Sequence, residues 1–570
     1  MTADIKPVPR HFLPSDFVIT DWAALEPFFT ELLKRDISSF EQLEQWLQDV
    51  SELEAAVSED ACWRQIKMTC DTENPQLAES FNYFMLKIQP EIQACSDLLN
   101  RKLVDCPFTD NLEGPAYFTY LRNVKKNIDL FREENITLQS ELAVEAQQFG
   151  VINGKMSVEV NGKEYTLQQA ARFLEDPDRT LRESVYRKIW DRRLQDKEAL
   201  NELYDSLLHK RNQVPLNAGF DNYRDYRFAE LGRFDYTKDD CVQFHEAVKQ
   251  YVLPIVESIY KKKKAKLGVN SFRPWDVDAE PVGTAPLKPF QTGSELLQKT
   301  TDCFNRLNPF FGNCLQKMDE LKRFDLESRK GKAPGGYNCP LAETGAPFIF
   351  MNAAGTLNDV ITMVHEGGHA IHSFLSHPLP LTGFKDYPTE FAEVASMSME
   401  LFSMNEWGVF FENEAELKRA KELQLERVIT VFPWIATIDK FQQWIYENPT
   451  HTHEERLQNW NRILNEFTPE TLDVSELEAY RNYSWQRQLH LFEVPFYYIE
   501  YGIAQLGAIG LWQQFQQNKD QALSNYTNAL SLGGTRPLPQ LFEAAGLKFD
   551  LSPAHIKGLM AFVKAEMETV

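Results

Sequence analysis

Between Val360 and Leu375 the chain reads Val-Ile-Thr-Met-Val-His-Glu-Gly-Gly-His-Ala-Ile-His-Ser-Phe-Leu, a His-Glu-x-x-His pattern inside an apolar stretch. Residues four apart on a helix lie about 40° apart around its axis, so His365 and His369 project from one face, one turn apart. Two imidazoles so placed can share one Zn²⁺ ion, and Glu366, about 100° further round, stands beside the ion as a base for a zinc-bound water. Gly367 and Gly368 together cost such a helix about 1.5–2 kcal/mol relative to alanine. A helix built only to pack gains nothing from them, whereas close approach of another backbone or of a substrate requires residues without Cβ.

A chain of 570 residues can bury a large core and exceeds one simple domain, so two or more lobes are expected. Its net charge of -23 argues against nucleic acid or an anionic membrane as partner, since both repel an acidic surface. The segment from Met1 to Arg10 lacks the apolar region of a signal peptide, and the most apolar run, Leu491 to Trp512, is interrupted by Glu493, Pro495 and Glu500 and reads as core. Eight cysteines with no C-x-x-C pair read as reduced thiols, which places the protein in the cytoplasm.

Helical periodicity runs through residues 21–105, 176–213 and 415–465, and further helices are predicted over 238–265 and 294–324. Asn161-Gly162, between alternating residues, predicts a two-residue β-hairpin. The arginine-rich stretch from Arg179 to Arg193 is read as a packed helix with a charged outer face, or as a guide for acidic substrates. Four prolines between Gly268 and Gly293 mark a surface crossing or lobe boundary. The glycine-rich loop from Lys330 to Cys339 lacks the Gly-Lys-Ser/Thr ending of a phosphate-binding loop, which disfavours nucleotides. Pro347 to Met351 predicts a short apolar strand, either buried or an edge that holds an extended peptide by backbone hydrogen bonds. Pro388-Thr389-Glu390 predicts a helix start capped by Thr389. Glu390 and Glu393 share a face of that helix, so either can complete a metal site, and Glu400 can orient a ligand histidine. Further on, His490, Tyr497, Tyr498 and Tyr501 offer hydrogen-bond donors suited to an oxyanion. Pro495 is expected to start the helix that carries the tyrosines, with His490 on the loop before it.

The metzincin extension of the motif places a glycine three residues after His369 and a histidine three later; His372 and Leu375 stand there, which excludes that class. The sequence resembles the M3 family of zinc metallopeptidases, and within it the oligoendopeptidase F and Pz-peptidase branch. The likeness is carried by His365-Glu-Gly-Gly-His369-Ala, Glu390-Phe-Ala-Glu393, the Gly335-Gly336-Tyr337 loop and His490 to Tyr501, across about residues 200–565. It implies a mostly α fold: two helical lobes around a deep channel that admits short unstructured peptides, with a zincin-type active-site helix and a small β element. Residues 1–200 are expected to form part of the channel wall and residues 201–570 the catalytic region. The resemblance implies His365, His369 and Glu393 as ligands of one Zn²⁺ per chain and Glu366 as general base. It implies His490, Tyr498 and Tyr501 as the groups that hold the scissile carbonyl and its oxyanion, although the Tyr497-Tyr498 doublet leaves the acting tyrosine open. The implied activity is hydrolysis of internal bonds in short peptides. Two competing expectations are a carboxypeptidase or dipeptidyl carboxypeptidase, which needs a cationic or amide group for the terminal carboxylate, and a non-catalytic helical peptide-binding protein.

Overall fold

Helices dominate the computed structural model, which describes residues 9–569; most of the segment read for a leader, Met1 to Val8, lies outside the described residues. The longest N-terminal helix, Phe40–Cys70, starts where Ser39 accepts a hydrogen bond from the Gln42 N–H. It buries Leu43, Trp46, Leu47, Val50 and Leu53, the apolar stripe that predicts it. These side chains belong to one core, drawn from residues 13–124 with Leu381 and Phe384. A larger core runs from Leu130 to Val563. A small third cluster of Ile66, Ala333, Leu341, Phe348 and Phe350 ties the long helix to a three-stranded sheet.

The hairpin forms where Asn161-Gly162 places it: β1 (Ser157–Val160) pairs antiparallel with β2 (Lys163–Thr166). Asn161 and Gly162 have φ of 53° and 77°, the left-handed pair that a tight two-residue turn demands. The other sheet has the order β3 (Phe324–Glu327), β5 (Phe348–Ala353), β4 (Tyr337–Cys339), with β5 parallel to β3 and antiparallel to β4. The apolar strand is therefore central, with both of its edges paired, and it is not an edge; the edge strands are β3 and β4. The helix expected over 294–324 is also corrected. It divides into Gly293–Leu307 and Pro309–Glu320, because Pro309 has no N–H to continue the first helix and Asn308 caps the second by accepting from the Phe310 N–H at 2.9 Å. Phe324 then opens β3.

The His-Glu-x-x-His motif lies on Leu357–Ser376, a helix buried along most of its length and begun by a Thr356–Asp359 capping box. It packs on the helix Thr389–Ser403, which packs in turn on Tyr498–Gln517. Gly368 makes the first contact possible: a Cβ there would lie 2.6 Å from Ser396 Cα and 2.7 Å from the Ala395 carbonyl oxygen. Gly367 instead faces the Phe304 ring, 2.7 Å from where its Cβ would be. Among the described residues no helix is long and apolar enough to cross a membrane, and all eight cysteines are free.

Candidate active site

One helical turn separates His365 from His369, and their rings lie 5.0 Å apart between centroids. Glu393 comes from the facing helix, its Oε2 3.2 Å from His365 Nε2 and 3.6 Å from His369 Nε2. The three candidate ligand atoms all fall within 4.8 Å of one another. Glu390 turns elsewhere: its carboxylate accepts the Tyr236 hydroxyl proton at 2.7 Å. The register follows from where the helix begins. Thr389 is its first residue rather than its cap, and Pro388 precedes it with no side-chain cap.

Further carboxylates and amides hold these groups. His365 Nδ1 lies 2.7 Å from Glu400 Oε1, and Gln424 Nε2 donates to Glu400 Oε2 at 2.9 Å. The His369 ring hydrogen-bonds the Ala392 carbonyl. Tyr497 donates its hydroxyl to Glu393 Oε1 at 2.5 Å, and Ser396 Oγ donates to Glu393 Oε2 at 3.1 Å. Burial opposes ionisation of Glu393, but His369, His365 and the Tyr497 hydroxyl outweigh it and hold the carboxyl down at about 2. Glu366, 5% exposed, is pushed up to about 8 by burial and then by the Glu393 and Glu400 charges. Its Oε2 has no hydrogen-bond partner among the described residues.

His490 sits in a one-turn helix, Leu489–Glu493, not on a loop, and the tyrosine helix begins at Tyr498 rather than at Pro495. Between them Phe496 takes a φ of 65°. Its N–H donates to Gln442 Oε1 at 2.6 Å, Arg233 donates to its carbonyl, and Arg211 donates to the Leu491 carbonyl at 2.9 Å. These buried clamps hold a backbone conformation that a bulky residue otherwise avoids. No local pattern marks them in the sequence.

The proton on His490 can be placed. Trp434 Nε1–H donates to Gln488 Oε1 at 2.9 Å, which turns Gln488 Nε2 toward His490 Nδ1 at 2.7 Å. Nδ1 is then an acceptor, and Nε2–H donates to the Tyr501 oxygen at 3.1 Å. Burial holds the ring at about 4, so it is neutral. Tyr501 keeps its own proton to give.

His365, Glu366, His369, Glu393, His490, Tyr497 and Tyr501 all line one cavity of about 580 Å³. Tyr498 is not brought to that wall; its hydroxyl lies with Trp434 and Gln488. The cavity shares Gln168, Gly335 and Gly336 with a neighbour of about 560 Å³. It shares Gln65, Gln147, Glu493 and Val494 with another of about 530 Å³. Beside it, Asn338 of β4 donates Nδ2 to the Glu366 carbonyl at 3.2 Å, so the edge strand is tied to the motif helix.

The model of the family "Peptidase family M3" matches residues 172–560, more than half of the chain. The chain belongs to peptidase family M3. Residues 12–131 match the "Peptidase M3 N-terminal domain". An oligoendopeptidase F homolog of Borreliella burgdorferi is 22% identical over 401 residues, 67% of this chain and 64% of the relative. Oligopeptidase PepF of Bacillus subtilis is 22% identical over 400 residues, 68% of this chain and 57% of the relative. These M3 relatives are thus matched over less than two thirds of their length. A solved structure of Pz peptidase A with an inhibitor superposes with a TM-score of 0.91 at 26% identity, covering 98% of this chain and 99% of that one. Oligoendopeptidase F from Enterococcus faecium, at 14% identity and a TM-score of 0.66 over 96% of this chain and 97% of that one, shares the fold.

The Glu400 contact has a measurable consequence. Glu400→Ala removes the acceptor that orients His365, and metal affinity is expected to fall roughly 10- to 100-fold. A competition titration against a chromophoric chelator measures it; unchanged affinity would show that Glu400 does not act through the histidine.

Proposed function

We propose that this M3 protein is a zinc-dependent endopeptidase that hydrolyses internal bonds of short, unstructured peptides. The observation that carries this reading is the convergence of two imidazole Nε2 atoms and one Glu393 oxygen beside the unpartnered Glu366 Oε2. That donor set suits Zn²⁺: two nitrogens and one carboxylate oxygen leave a position open, and both histidines have a second partner that orients the ring. His365, His369 and Glu393 would hold the ion. When bound, Zn²⁺ acidifies water and polarises a carbonyl.

The remaining chemistry belongs to side chains of this chain. Glu366 takes the proton of the attacking water and passes it to the leaving amine. The Tyr501 hydroxyl is the donor available for the developing oxyanion, and His490 orients and polarises it by donating Nε2–H to its oxygen. Tyr497, by donating to Glu393, fixes the ligand carboxylate instead. The free edge of β4 would hold the peptide backbone in an extended form. Residues 1–200 are proposed to wall the channel, and the three connected cavities are proposed as its path.

The test is cleavage of an internally quenched peptide of about ten residues, blocked at both ends, before and after chelation and again after zinc add-back. Internal cleavage that the chelator abolishes and zinc restores supports the reading. Cleavage only of free-ended peptides replaces it with an end-directed peptidase. No cleavage of any peptide by zinc-loaded protein leaves a peptide-binding role.

A further inference from the structure

Two cations in the wall of the catalytic cavity have no use in the reaction above. Arg193 lies near the end of the helix Arg179–Gln195, and Arg487 lies three residues before His490. Other arginines in the protein interior meet carboxylates: Arg182 meets Asp276 at 2.8 Å and Arg233 meets Glu500 at 2.9 Å. Among the described residues neither Arg193 nor Arg487 has a carboxylate partner. Arg193 donates only to Asn153 Oδ1, at a long 3.4 Å, and its guanidinium lies 6.0 Å from the Trp190 ring. The Arg487 guanidinium lies over Trp434 at 4.4 Å, which leaves its N–H fork open.

Burial, and then the Arg487 charge, lower Arg193 to about 10; burial also lowers Arg487. Two like charges held near one another without a counter-ion are costly. The acidic groups of the same cavity do not answer them. Glu393 is committed to the histidines and Tyr497, Glu366 to the reaction, and Glu493 lines the side that opens to the neighbouring cavity of Gln65 and Gln147. The anion that completes the pair must therefore come from outside the chain. A guanidinium presents parallel N–H donors that fit the two oxygens of a carboxylate. The placement also suits a chain of net charge -23, whose overall field opposes acidic peptides, because a local pair of cations offsets that field.

We infer that Arg193 and Arg487 form a carboxylate-binding subsite of the catalytic cavity, which receives either the C-terminal carboxylate of a short peptide or an Asp or Glu side chain within it. The subsite rests on the reading that a peptide occupies this cavity, and it sets where along the peptide the bond is cut. A bound carboxylate anchors the chain beside His490, so the cleaved bond lies at a set distance from that group.

The experiment measures equilibrium binding to zinc-loaded Glu366→Gln protein, which separates binding from turnover. Three N-acetylated ten-residue peptides of otherwise neutral sequence are compared: a free C-terminal acid, the C-terminal amide, and the amide with one internal glutamate. The acid, the glutamate-containing amide, or both should bind roughly 10- to 100-fold tighter than the plain amide. Preference for the acid assigns the subsite to the chain end, and preference for the glutamate peptide assigns it to a side chain. Arg193→Gln and Arg487→Gln, each added to this background, should bring the ratio toward one, and Arg→Lys at either position should retain part of it. Equal affinity for all three peptides overturns the inference. So does an arginine substitution that weakens all three by the same factor, which is the mark of a merely structural role, and so does a failure of all three to bind. Discrimination in binding by a protein whose wild type cleaves nothing would sustain the subsite while removing the endopeptidase reading.

Discussion

Glu366→Gln protein should fold and retain its metal while turning over peptides roughly 10²- to 10⁴-fold more slowly, the range expected for loss of a general base. The substitution keeps the shape of the side chain and leaves His365, His369 and Glu393 untouched, so ligation should survive. What disappears is the ability to take up and return a proton. In the wild type this carboxyl is buried beside two other carboxylates, and these surroundings push it up to about 8. A Zn²⁺ ion held by the neighbouring ligands would oppose that rise and favour the carboxylate, the form that accepts the proton. Metal content by atomic absorption and kcat on one quenched peptide are measured on the same preparation. Wild-type turnover by metal-replete Glu366→Gln protein would remove Glu366 from the role of base.

Gly368→Ala is expected to produce the second large effect, on stability and metal binding together. A solvent-exposed glycine in a helix is improved by alanine by about 0.5–1 kcal/mol. At Gly368 the added methyl group meets Ser396 Cα at 2.6 Å and the Ala395 carbonyl oxygen at 2.7 Å. These are backbone atoms, which cannot rotate aside, so the helices must separate or bend. Overpacking of this kind typically costs about 1–3 kcal/mol. The separation acts on the ligands directly, because Gly368 adjoins His369 and Ser396 lies one turn beyond Glu393. Stability should therefore fall by about 1–3 kcal/mol and metal affinity with it, read by denaturant unfolding and by chelator competition. Gly558→Ala is the control: it is an exposed helical glycine with nothing within 4 Å of its would-be Cβ, so the same change there should be neutral or stabilising. Equal responses at the two sites would contradict the steric argument.

Gly368 also marks how far local sequence carries the argument. Glycine in an apolar helix already implies a close approach, yet only the fold identifies the approaching segment as Ala395–Ser396 rather than a substrate. For Glu390 and Glu393, a shared helical face left both as candidates on the residues alone. The resemblance points to Glu393, and the structure turns Glu393 to the histidines and Glu390 to Tyr236. The same holds for the tyrosines. Three hydroxyls within five residues look alike in sequence, but Tyr497 reaches Glu393, Tyr501 reaches His490 and Tyr498 faces Trp434 and Gln488.

By itself the sequence determined whatever rests on neighbours along the chain. The helix through His365 and His369 follows from 3.6-residue periodicity, and the hairpin at Asn161-Gly162 follows from the two left-handed conformations its turn requires. Only the tertiary structure decided the central position of β5, the clamp of Gln442 and Arg233 on Phe496, and the presence of Arg193 and Arg487 on one cavity wall with no carboxylate partner among the described residues. Arg193 and Arg487 are almost 300 residues apart in the chain. Periodicity and turn chemistry are properties of a few adjacent torsions, whereas a strand's neighbours and a charge's partners depend on how distant segments share volume in one packed interior.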